Sequence, residues 1–472
     1  MIPASTFAGK TVALFGLGGS GLATARALEA GGAIVQCWDD GEAGRARAAA
    51  AGLTVTDLAS TTWSGFSSLI LSPGVPLTHP QPHWSVGKAN AADVEIIGDI
   101  EIFFRERLAL EPASPVICIT GTNGKSTTTA LIAHLLTAGG FDVQMGGNIG
   151  TNILDLAPPS PKRVHVIEVS TFQIDLTLSL SASIGVMINL TPDHLDRHGD
   201  LARYAAIKER VIASAQTAIC GVDDTWSKAM ADRRAAAGKP LIRFSTGRLP
   251  SGITARGTRI ARMEGGEEID IADLAGIASL RGSHNAQNAA ASVAVALSMG
   301  MTSGAIQQAL RSYASLPHRM EQIGSVGKTV FINDSKATNA DSTRGALAGS
   351  EGLFWILGGK EKDGGIEDLR PLFGNVSKAY LIGHAAALFA ATLDGAVPFE
   401  RCGTLDVAVA KAASDAAASP FRQPVVLLSP ACASYDQYKS FEHRGAHFSA
   451  LAAALPGFKP VAASNTHSGD TA

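Results

Sequence analysis

The chain has 472 residues, of which 46% are hydrophobic and 17% are charged, and its formal net charge is -3. This length exceeds what one hydrophobic core organises, so we expect two or three ordinary globular domains. The slightly negative charge argues against a surface for nucleic acid or anionic membranes. Five separated cysteines without metal-ligand spacing, and no long apolar run, predict a soluble, cytoplasmic protein.

The first region of the chain predicts a parallel α/β sheet of the Rossmann-like kind. Apolar β-type runs at 11–15, 34–38 and 69–72 alternate with helical patterns. A Pro-containing segment at 111–115 follows them. We therefore expect a first domain over residues 1–110.

A glycine-rich turn joins the first strand of this region to its first helix. Gly16, Gly18 and Gly21 match G-x-G-x-x-G, and Asp39 ends the next strand, where dinucleotide sites place a ribose-binding acid. The pattern alone supports three interpretations: an NAD site, a site where another diphosphate rests on the helix N-terminus, or a purely structural turn. The motif by itself does not choose among them.

The second region, residues 111–315, predicts a central domain with a mostly parallel sheet. Buried-strand candidates lie at 116–120, 164–168 and 184–189, and an amphipathic helix is predicted at 126–138. The sequence GTNGKS joins the first of these strands to that helix.

This loop has the chemistry of a phosphate site. Glycines let backbone N–H groups turn toward a phosphate, and the helix N-terminus adds partial positive charge. Lys125 would reach the β- and γ-phosphates, and Ser126 would place its hydroxyl on Mg²⁺. Ile119 stands where the strict P-loop has glycine, so an ordinary glycine-rich turn remains the alternative.

The third region, residues 316–458, predicts a C-terminal Rossmann-like α/β domain. Its strand candidates are 330–333, 353–357, 379–382 and 425–429. The last residues, 459–472, are rich in small and polar side chains and predict a disordered tail. The predicted fold class is therefore α/β with three domains.

Three polar residues of the second region have two interpretations each when they are taken alone. Glu168 ends a predicted strand and is either a Mg²⁺ ligand or a solvated acid. His194 is either structural or a ligand oriented by the flanking Asp193 and Asp196. Lys208 sits in a helical pattern, where a surface lysine is the simplest interpretation.

Further motifs follow in a fixed order along the chain: GGNIG at 146–150, EVSTFQ at 168–173, NLTPDHLD at 189–196, HNAQN at 284–288, PHR at 317–319, NDSKATN at 333–339 and SPACASYD at 429–436. Together with GTNGKS they resemble the Mur ligase family. The motifs EVSTFQ, NDSKATN and SPACASYD resemble its D-glutamate-adding branch. The resemblance extends from about residue 11 to 455.

The resemblance implies an ATP-dependent ligase of peptidoglycan precursor synthesis that joins D-glutamate to UDP-N-acetylmuramoyl-L-alanine. The implied cofactors are ATP and two Mg²⁺ ions, with Lys208 carbamylated into a metal ligand. We expect a monomer without nucleic-acid or membrane partners. The implied chemistry is an acyl phosphate formed from ATP and captured by the amine of D-glutamate, with domain closure to exclude water.

The resemblance also implies a role for individual residues. The ATP-binding set is Gly121, Thr122, Asn123, Gly124, Lys125, Ser126, Thr127, Asn285, Asn288, Arg319 and Asp334. The set for the UDP-sugar, which replaces NAD in the first domain, is Gly18, Gly19, Ser20, Asp39, Ser72, Gly74, Asn148, Ser170 and Gln173. The D-glutamate set is His194, Thr338, Lys362, Ser434 and Phe441. The metal set is Ser126, Glu168, His194 and Lys208, and the catalytic set is Lys125, His194, Lys208, Arg319 and Lys336.

Some alternatives stay open at this stage. A sister ligase that uses another amino acid would share GTNGKS but not SPACASYD. A dehydrogenase would use the first glycine loop but would leave GTNGKS unexplained, and a non-catalytic nucleotide-binding scaffold would bind ATP without turnover. Asp39 is followed by Asp40-Gly41, unlike the Asp-Thr-Arg of some Mur ligases. The residues that bind uracil are therefore not predicted. Lys362 is either a partner for a substrate carboxylate or an ordinary charged loop residue, and the alignment is loose because Lys360 lies two positions away.

Overall fold

A computed structural model gives the fold of the chain and describes residues 1–349, 351–361 and 365–461. The chain divides into two compact units, one formed by Met1–Asp273 and Gln287–Ala309, the other by Leu274–Ala286 and the chain from Leu310 onward. Among the described residues, two β-sheets lie in the first unit and one in the second. The predicted α/β class with mostly parallel sheets is confirmed.

The N-terminal sheet has four parallel strands: β1 (Thr11–Phe15), β2 (Ile34–Trp38), β3 (Ser68–Leu71) and β4 (Glu95–Ile97). Its helices are α1 (Gly19–Ala30), α2 (Glu42–Ala50), α3 (Trp84–Ala91) and α4 (Asp99–Leu110). The strand order is β2-β1-β3-β4. Alternate residues of β1 pack on opposite faces: Val12 and Leu14 join one buried cluster, Ala13 and Phe15 another.

The central sheet has nine strands: β5 (Val116–Thr120), β6 (Asp142–Gly147), β7 (Arg163–Glu168), β8 (Ile184–Met187), β9 (Thr217–Gly221), β10 (Leu241–Ser245), β11 (Gly252–Arg256), β12 (Arg259–Glu264) and β13 (Glu267–Asp273). The helices of this part of the chain are α5 (Lys125–Ala138), α6 (Thr171–Asp175), α7 (Leu195–His198), α8 (Leu201–Ala213), α9 (Thr225–Ala236), α10 (Ser283–Ser298) and α11 (Ser303–Ser312). The strand order is β13-β12-β11-β10-β9-β8-β5-β7-β6.

One edge of the central sheet departs from the parallel pattern. β12 pairs antiparallel with β11 and with β13, through two-residue turns at Gly257-Thr258 and Gly265-Gly266. Both residues of the second turn have positive φ (59° and 89°), which matches the twist of a tight hairpin. These strands were not among the predicted ones, because their outer residues are mostly charged and break the apolar runs.

The third sheet has seven strands: β14 (Glu321–Val326), β15 (Thr329–Asn333), β16 (Leu353–Gly358), β17 (Val376–Ile382), β18 (Phe399–Gly403), β19 (Val425–Leu428) and β20 (Phe458–Pro460). Its helices are α12 (Ala340–Ala348), α13 (Ala386–Leu393), α14 (Leu405–Ala418) and α15 (Phe441–Ala453). The strand order is β18-β17-β16-β19-β15-β14-β20. β14 pairs antiparallel with β15 and with β20, and the other neighbouring strands are parallel. Buried clusters cover both faces, with Trp355 on one and Phe354 on the other.

The predicted disordered tail is wrong at its start. Lys459 and Pro460 belong to β20, where they pair with Ser325 and Gly324. The remainder of the predicted tail, 462–472, lies outside the described residues. None of the helices within the described ranges is long and apolar enough to cross a membrane.

Parallel pairing brings the strand ends that carry polar motifs together. In the central sheet β5 lies between β7 and β8, so the loop after Thr120 begins beside Glu168 and Met187. In the third sheet Asn333 pairs with Leu428, which places the loops after β15 and β19 side by side. Ligands of open α/β sheets bind at such carboxyl ends.

Candidate functional site

The phosphate loop, residues 121–124, is held by the segment that follows β8. Asn189 accepts hydrogen bonds from the loop through its backbone oxygen (Thr122 N–H, 2.9 Å) and its side-chain Oδ1 (Asn123 N–H, 2.9 Å). Thr122 Oγ1 donates to Thr191 O and accepts from Thr191 N, both at 3.0 Å. The loop is therefore fixed in shape by bonds that do not require a ligand.

Gly124 marks the end of this loop and the start of α5. Its backbone is left-handed (φ +81°), and a Cβ there would lie 2.1 Å from Asn288 Oδ1. Asn288 is buried in α10, and its Oδ1 accepts from Thr128 Oγ1 at 3.2 Å. Glycine is therefore required at position 124 by both conformation and space.

The N-terminus of α5 has the features of an anion site. No acidic residue occupies its first turn, and Ser126 is buried there with the half-buried Thr127 beside it. Lys125 Nζ donates to Gly121 O (3.0 Å) and Thr122 O (2.8 Å), so the ammonium lies over the loop. A phosphate here would meet backbone N–H groups, the helix dipole and this cation.

Glu168 lies at the end of β7 and is only 2% exposed, so the interpretation as a solvated acid is wrong. Its Oε1 accepts from Asn148 Nδ2 at 2.7 Å, and Asn148 N–H also donates to the Glu168 backbone oxygen at 2.9 Å. The buried Oε2 atom has no hydrogen-bond partner among the described residues. A buried carboxylate oxygen that has no hydrogen-bond donor is suited to binding a cation.

Lys208 is the clearest correction to the pattern-based prediction, because it is 1% exposed rather than at the surface. Its Nζ donates to Gly121 O at 2.7 Å and lies 4.8 Å from the centre of the Tyr204 ring. Burial lowers the pKa of Lys208 well below its usual value, and the nearby Lys125 lowers it further, while Asp193 and Glu168 oppose the shift. The amine is thus biased toward its neutral, nucleophilic form.

His194 has left-handed backbone (φ +53°) and precedes α7. Its Nε2 lies 3.3 Å from Asp193 Oδ2, and its ring meets Phe172 edge-on at 5.2 Å between centres. Of the two flanking acids proposed to orient it, Asp193 makes this contact. The ring is 44% exposed, which leaves it accessible.

The donor set fits Mg²⁺ only with help from other ligands. Across residues 1–349, 351–361 and 365–461 no three His, Cys, Asp or Glu side chains cluster at metal-binding spacing. Mg²⁺ commonly binds through one or two carboxylates together with waters and substrate phosphates. Glu168 with its unpartnered Oε2 and the hydroxyl of Ser126 satisfy that pattern, so the residues fit the ion.

The first glycine loop is braced from two sides. Asp39 accepts from Leu17 N (2.6 Å) and Gly41 N (2.7 Å), and Ser72 Oγ donates to Gly16 O (2.8 Å). A Cβ at Gly21 would lie 1.9 Å from Gly16 O, so this glycine allows α1 to approach β1 closely. Asp39 therefore shapes the loop. The backbone of Gly18 and Gly19, before the half-buried Ser20, faces open space, and Gly74 O accepts from Arg197.

Ser170 and Gln173 form the N-terminal cap of α6, as a reciprocal capping box. Gln173 Oε1 accepts from Ser170 N and Ser170 Oγ, both at 3.1 Å. Both residues lie within five positions after Glu168, so this cap fixes the chain beyond the candidate metal ligand.

In the second unit, the predicted ATP residues Arg319 and Asp334 lie close enough to interact. Asp334 Oδ1 accepts from Met320 N (3.1 Å) and Oδ2 accepts from Ser429 Oγ (2.7 Å). Burial raises the pKa of Asp334 to about 7, and the nearby Arg319 opposes that shift. Asn285 is also buried in this unit and donates to Arg281 O at 2.9 Å, whereas Asn288 belongs to the first unit.

Three of the predicted D-glutamate residues, Thr338, Ser434 and Phe441, lie in the chain that follows β15 and β19. Lys336 Nζ lies 3.9 Å from the centre of the Phe441 ring, and Phe441 O accepts from Ser335 Oγ at 2.8 Å. Ser434 is buried after β19, and Thr338 is half-buried after β15. Lys362 lies outside the described residues. The backbone of Lys360 pairs with that of Ala433.

Two residues of these sites were missed by the sequence analysis. Tyr204 is buried beneath Lys208, and its hydroxyl lies 3.2 Å from Thr122 Oγ1. Arg444 is 1% exposed and joins the loops after β15 and β19 through Ser335 O (2.8 Å) and Cys432 O (3.1 Å). Their positions in the sequence could have indicated them. Tyr204 lies one helical turn before Lys208, and Arg444 follows shortly after SPACASYD.

Comparisons with known proteins show which family the chain resembles. Residues 119–296 match the family described as the Mur ligase middle domain. Among solved structures, the UDP-N-acetylmuramate-alanine ligase MurC of Thermotoga maritima has a TM-score of 0.56 at 18% identity, covering 93% of this chain and 98% of that one. The MurF ligase of the same organism, in complex with ADP, has a TM-score of 0.55 at 15% identity, covering 82% and 88%. These two likenesses concern the fold.

Curated relatives are much closer in sequence. The UDP-N-acetylmuramoylalanine–D-glutamate ligase of Nitrobacter hamburgensis is 56% identical over 466 residues, which is 98% of this chain and all of that protein. The ligases of the same name from Bradyrhizobium diazoefficiens and Brucella abortus are 56% and 55% identical, covering 98% of this chain and 100% and 99% of those proteins. The chain therefore belongs to the family of UDP-N-acetylmuramoylalanine–D-glutamate ligases, within the Mur ligases.

Proposed function

We propose that this chain joins D-glutamate to UDP-N-acetylmuramoyl-L-alanine with cleavage of ATP to ADP and phosphate, a step of peptidoglycan precursor synthesis. The observation that carries the proposal is the buried group beside the phosphate loop. Lys208 bonds to Gly121 O, and Glu168 presents an unpartnered oxygen at the end of the neighbouring strand. This arrangement suits phosphoryl transfer and serves no evident purpose in a hydride-transfer site.

The reaction has two steps. A carboxylate does not react with an amine at neutral pH because its leaving group would be oxide. The L-alanine carboxylate therefore attacks the γ-phosphorus of ATP, which forms an acyl phosphate and releases ADP. The amine of D-glutamate then attacks the acyl carbon and loses a proton, and the tetrahedral intermediate expels phosphate to leave the amide.

We assign the ATP phosphates to residues 121–127 at the start of α5. Lys125 neutralises charge on the transferring phosphoryl group, and the backbone N–H groups of the loop hold the β-phosphate. Asn288 supports the loop from behind Gly124. Arg319 and Asp334 of the second unit, together with Asn285, complete the ATP-binding set. We assign ATP chiefly to the domain at 111–315.

Glu168, Ser126, His194 and carbamylated Lys208 are the residues we propose to hold Mg²⁺. When bound, Mg²⁺ would neutralise charge on the phosphate oxygens. The carbamate forms when the neutral Lys208 amine adds to the carbon of CO₂ and releases one proton, which converts a cation into an anionic oxygen ligand. Support for this step comes from the burial of Lys208 and its depressed pKa.

We assign the sugar nucleotide to the domain at 1–110. The N-terminus of α1, with Gly18, Gly19 and Ser20, holds the diphosphate, and Ser72 and Gly74 close the opposite side. Asp39 maintains the loop and lies at the uracil end. Ser170, Gln173 and Asn148 of the central domain position the muramoyl part, and Asn148 also orients Glu168.

We assign D-glutamate to the domain at 316–458, at the ends of β15 and β19. Thr338, Ser434 and Phe441 surround the amino acid, with Lys336 near the reacting groups and Lys362 on a substrate carboxylate. We also include His194 of the central domain in the set for the amino acid. The stereochemical preference arises from this set, because a chiral amino acid needs at least three contact points.

Product analysis tests the proposal directly. The purified chain is incubated with ATP, Mg²⁺ and UDP-N-acetylmuramoyl-L-alanine, and with D-glutamate, L-glutamate, L-alanine or L-lysine in separate reactions. We expect mass spectrometry to detect a product that gains one glutamyl residue with D-glutamate alone. A product with a different amino acid would assign the chain to a sister ligase, and ADP without any amide would refute the ligase assignment.

A further inference from the structure

Asp99 is a buried carboxyl group that the proposed reaction leaves unused. It is the first residue of α4 and only 6% exposed. It lines a small cavity at the foot of the first glycine loop, with Ser20, Gly21, Thr24, Ser72 and Pro73. Two of these residues, Ser20 and Ser72, belong to the set assigned to the sugar nucleotide. As an acid in the first turn of α4, Asp99 also interacts favourably with the positive end of the helix dipole.

The hydrogen bonds of Asp99 lead from this cavity to the central domain. Its Oδ1 accepts from Ile100 N at 2.9 Å, and the side chain of Gln173 lies near enough to the carboxyl group to oppose the rise of its pKa. Gln173 Oε1 already accepts from Ser170 N and Oγ. The amide nitrogen of Gln173 is therefore the part of this side chain that is able to donate toward the Asp99 carboxyl group.

The backbone around Asp99 is fixed to the same element. Gly98 N–H donates to Leu176 O at 3.0 Å, at the end of α6, and a Cβ on Gly98 would lie 3.0 Å from Leu176 Cβ. The start of α4 thus packs directly against α6. The position of the Asp99 carboxyl group relative to Gln173 is set by this backbone contact as well as by the side chains.

Burial raises the pKa of Asp99 to about 6, and its hydrogen bonds oppose the shift. A carboxyl group of this kind carries a proton more readily than a surface acid, which reduces its repulsion of a neighbouring diphosphate.

We propose that Asp99 is a positioning residue for the sugar nucleotide, holding the Gln173 amide so that the Ser170–Gln173 cap and the first glycine loop face one substrate. This inference rests on the assignment of the sugar nucleotide to residues 1–110. In this role Asp99 acts through Gln173 and does not contact the reacting atoms.

The test compares Asp99→Ala, Asp99→Asn and Gln173→Ala in the full chain. We expect Asp99→Ala to raise the KM for UDP-N-acetylmuramoyl-L-alanine about tenfold, while the KM for ATP changes by less than about twofold. Asp99→Asn keeps an oxygen acceptor for the Gln173 amide and should recover most of the loss. The double variant Asp99→Ala/Gln173→Ala should be no worse than the poorer single variant, because the two residues act as one unit.

A matched control separates this role from general damage. Glu106 is another buried acid of α4, but it accepts from Ser5 and Thr6, away from the cavity. Glu106→Gln should lower the thermal midpoint without a selective change in KM. Equal changes in both KM values for Asp99→Ala, or a fall in kcat and thermal midpoint alone, would overturn the inference.

Calorimetric binding of UDP-N-acetylmuramoyl-L-alanine without ATP distinguishes this inference from the proposed function. A wild-type chain that binds the sugar nucleotide but releases no phosphate with D-glutamate would contradict the reaction, and the dissociation constants would still decide the role of Asp99. A wild-type chain that does not bind the sugar nucleotide would overturn both. Unchanged binding in Asp99→Ala would overturn the inference alone.

Discussion

Asn288 Oδ1 occupies the space that a side chain at Gly124 would need, because a Cβ there would lie 2.1 Å from it. The same oxygen accepts from Thr128 Oγ1, so α10 supports both the end of the phosphate loop and the first turns of α5. The shape of the loop therefore depends on a helix that lies about 160 residues further along the chain.

We predict that Gly124→Ala lowers kcat/KM for ATP on the order of 100-fold, since the loop must shift to relieve the contact. Steady-state phosphate release at varied ATP measures the effect. Gly304→Ala is the control, because Gly304 lies in α11 and a Cβ there meets no atom within 4 Å. Near-normal turnover of Gly124→Ala would show that the loop tolerates a side chain and would contradict this account.

Lys208 supplies a prediction about covalent modification. Its burial and depressed pKa favour the neutral amine that CO₂ needs. With ¹³C-labelled bicarbonate, a carbamate signal should appear in the wild-type NMR spectrum and be absent from Lys208→Arg, which should also lose at least about 100-fold in kcat. Lys228→Ala, at an exposed lysine paired with Asp232, should keep both the signal and the activity. A carbamate signal that persists in Lys208→Arg would place the modification elsewhere.

Asn148 should influence Mg²⁺ through Glu168. Its Nδ2 donates to Glu168 Oε1 at 2.7 Å, which orients the carboxylate and leaves Oε2 for the ion. Asn148→Ala should raise the Mg²⁺ concentration needed for half-maximal activity about tenfold. Titration of activity with Mg²⁺ at saturating substrates checks this, and an unchanged midpoint would argue against Glu168 as a ligand.

Asp334 predicts a pH-dependent component of stability. Its pKa is raised from 3.8 to about 7 in the folded chain, so between these values the folded state binds more protons than the unfolded state. This group therefore makes stability fall as pH rises from about 4 to about 7, with no further change above. Between about pH 5 and about pH 8, the thermal midpoint of the wild-type chain should fall by more degrees than the thermal midpoint of Asp334→Asn. Parallel pH curves for the two proteins would contradict the prediction.

Short apolar strands were the part of the fold most accessible from sequence. The bounds of β1, β2 and β5 were predicted as the structure has them, because each is a compact run rich in β-branched or apolar residues that ends at a polar or glycine-rich segment. The β11–β13 edge was not predicted, since Glu267–Asp273 alternates too many charges with its apolar residues. The Gly265-Gly266 turn was the signal that local pattern reasoning passed over.

The residues of the candidate site also differ in how far the sequence predicted them. The Gly121–Ser126 loop is contiguous, so a phosphate site could be predicted there from the spacing of its residues. Lys208 was not, because its neighbours Ile207 and Glu209 do not indicate burial, which arises from packing of α8 under the phosphate loop. Arg444 was missed for the same reason, since its partners Ser335 and Cys432 are distant in sequence. Asn148 was predicted at the substrate, and its observed contact is Glu168.

The most direct test of the central claim is the stoichiometry of phosphate release. Purified chain, ATP, Mg²⁺ and UDP-N-acetylmuramoyl-L-alanine are mixed with or without D-glutamate, with Lys125→Ala as the inactive control. We predict one phosphate for each amide formed, release that depends on D-glutamate, and none from Lys125→Ala. Release that is independent of D-glutamate, or undiminished in Lys125→Ala, would contradict it.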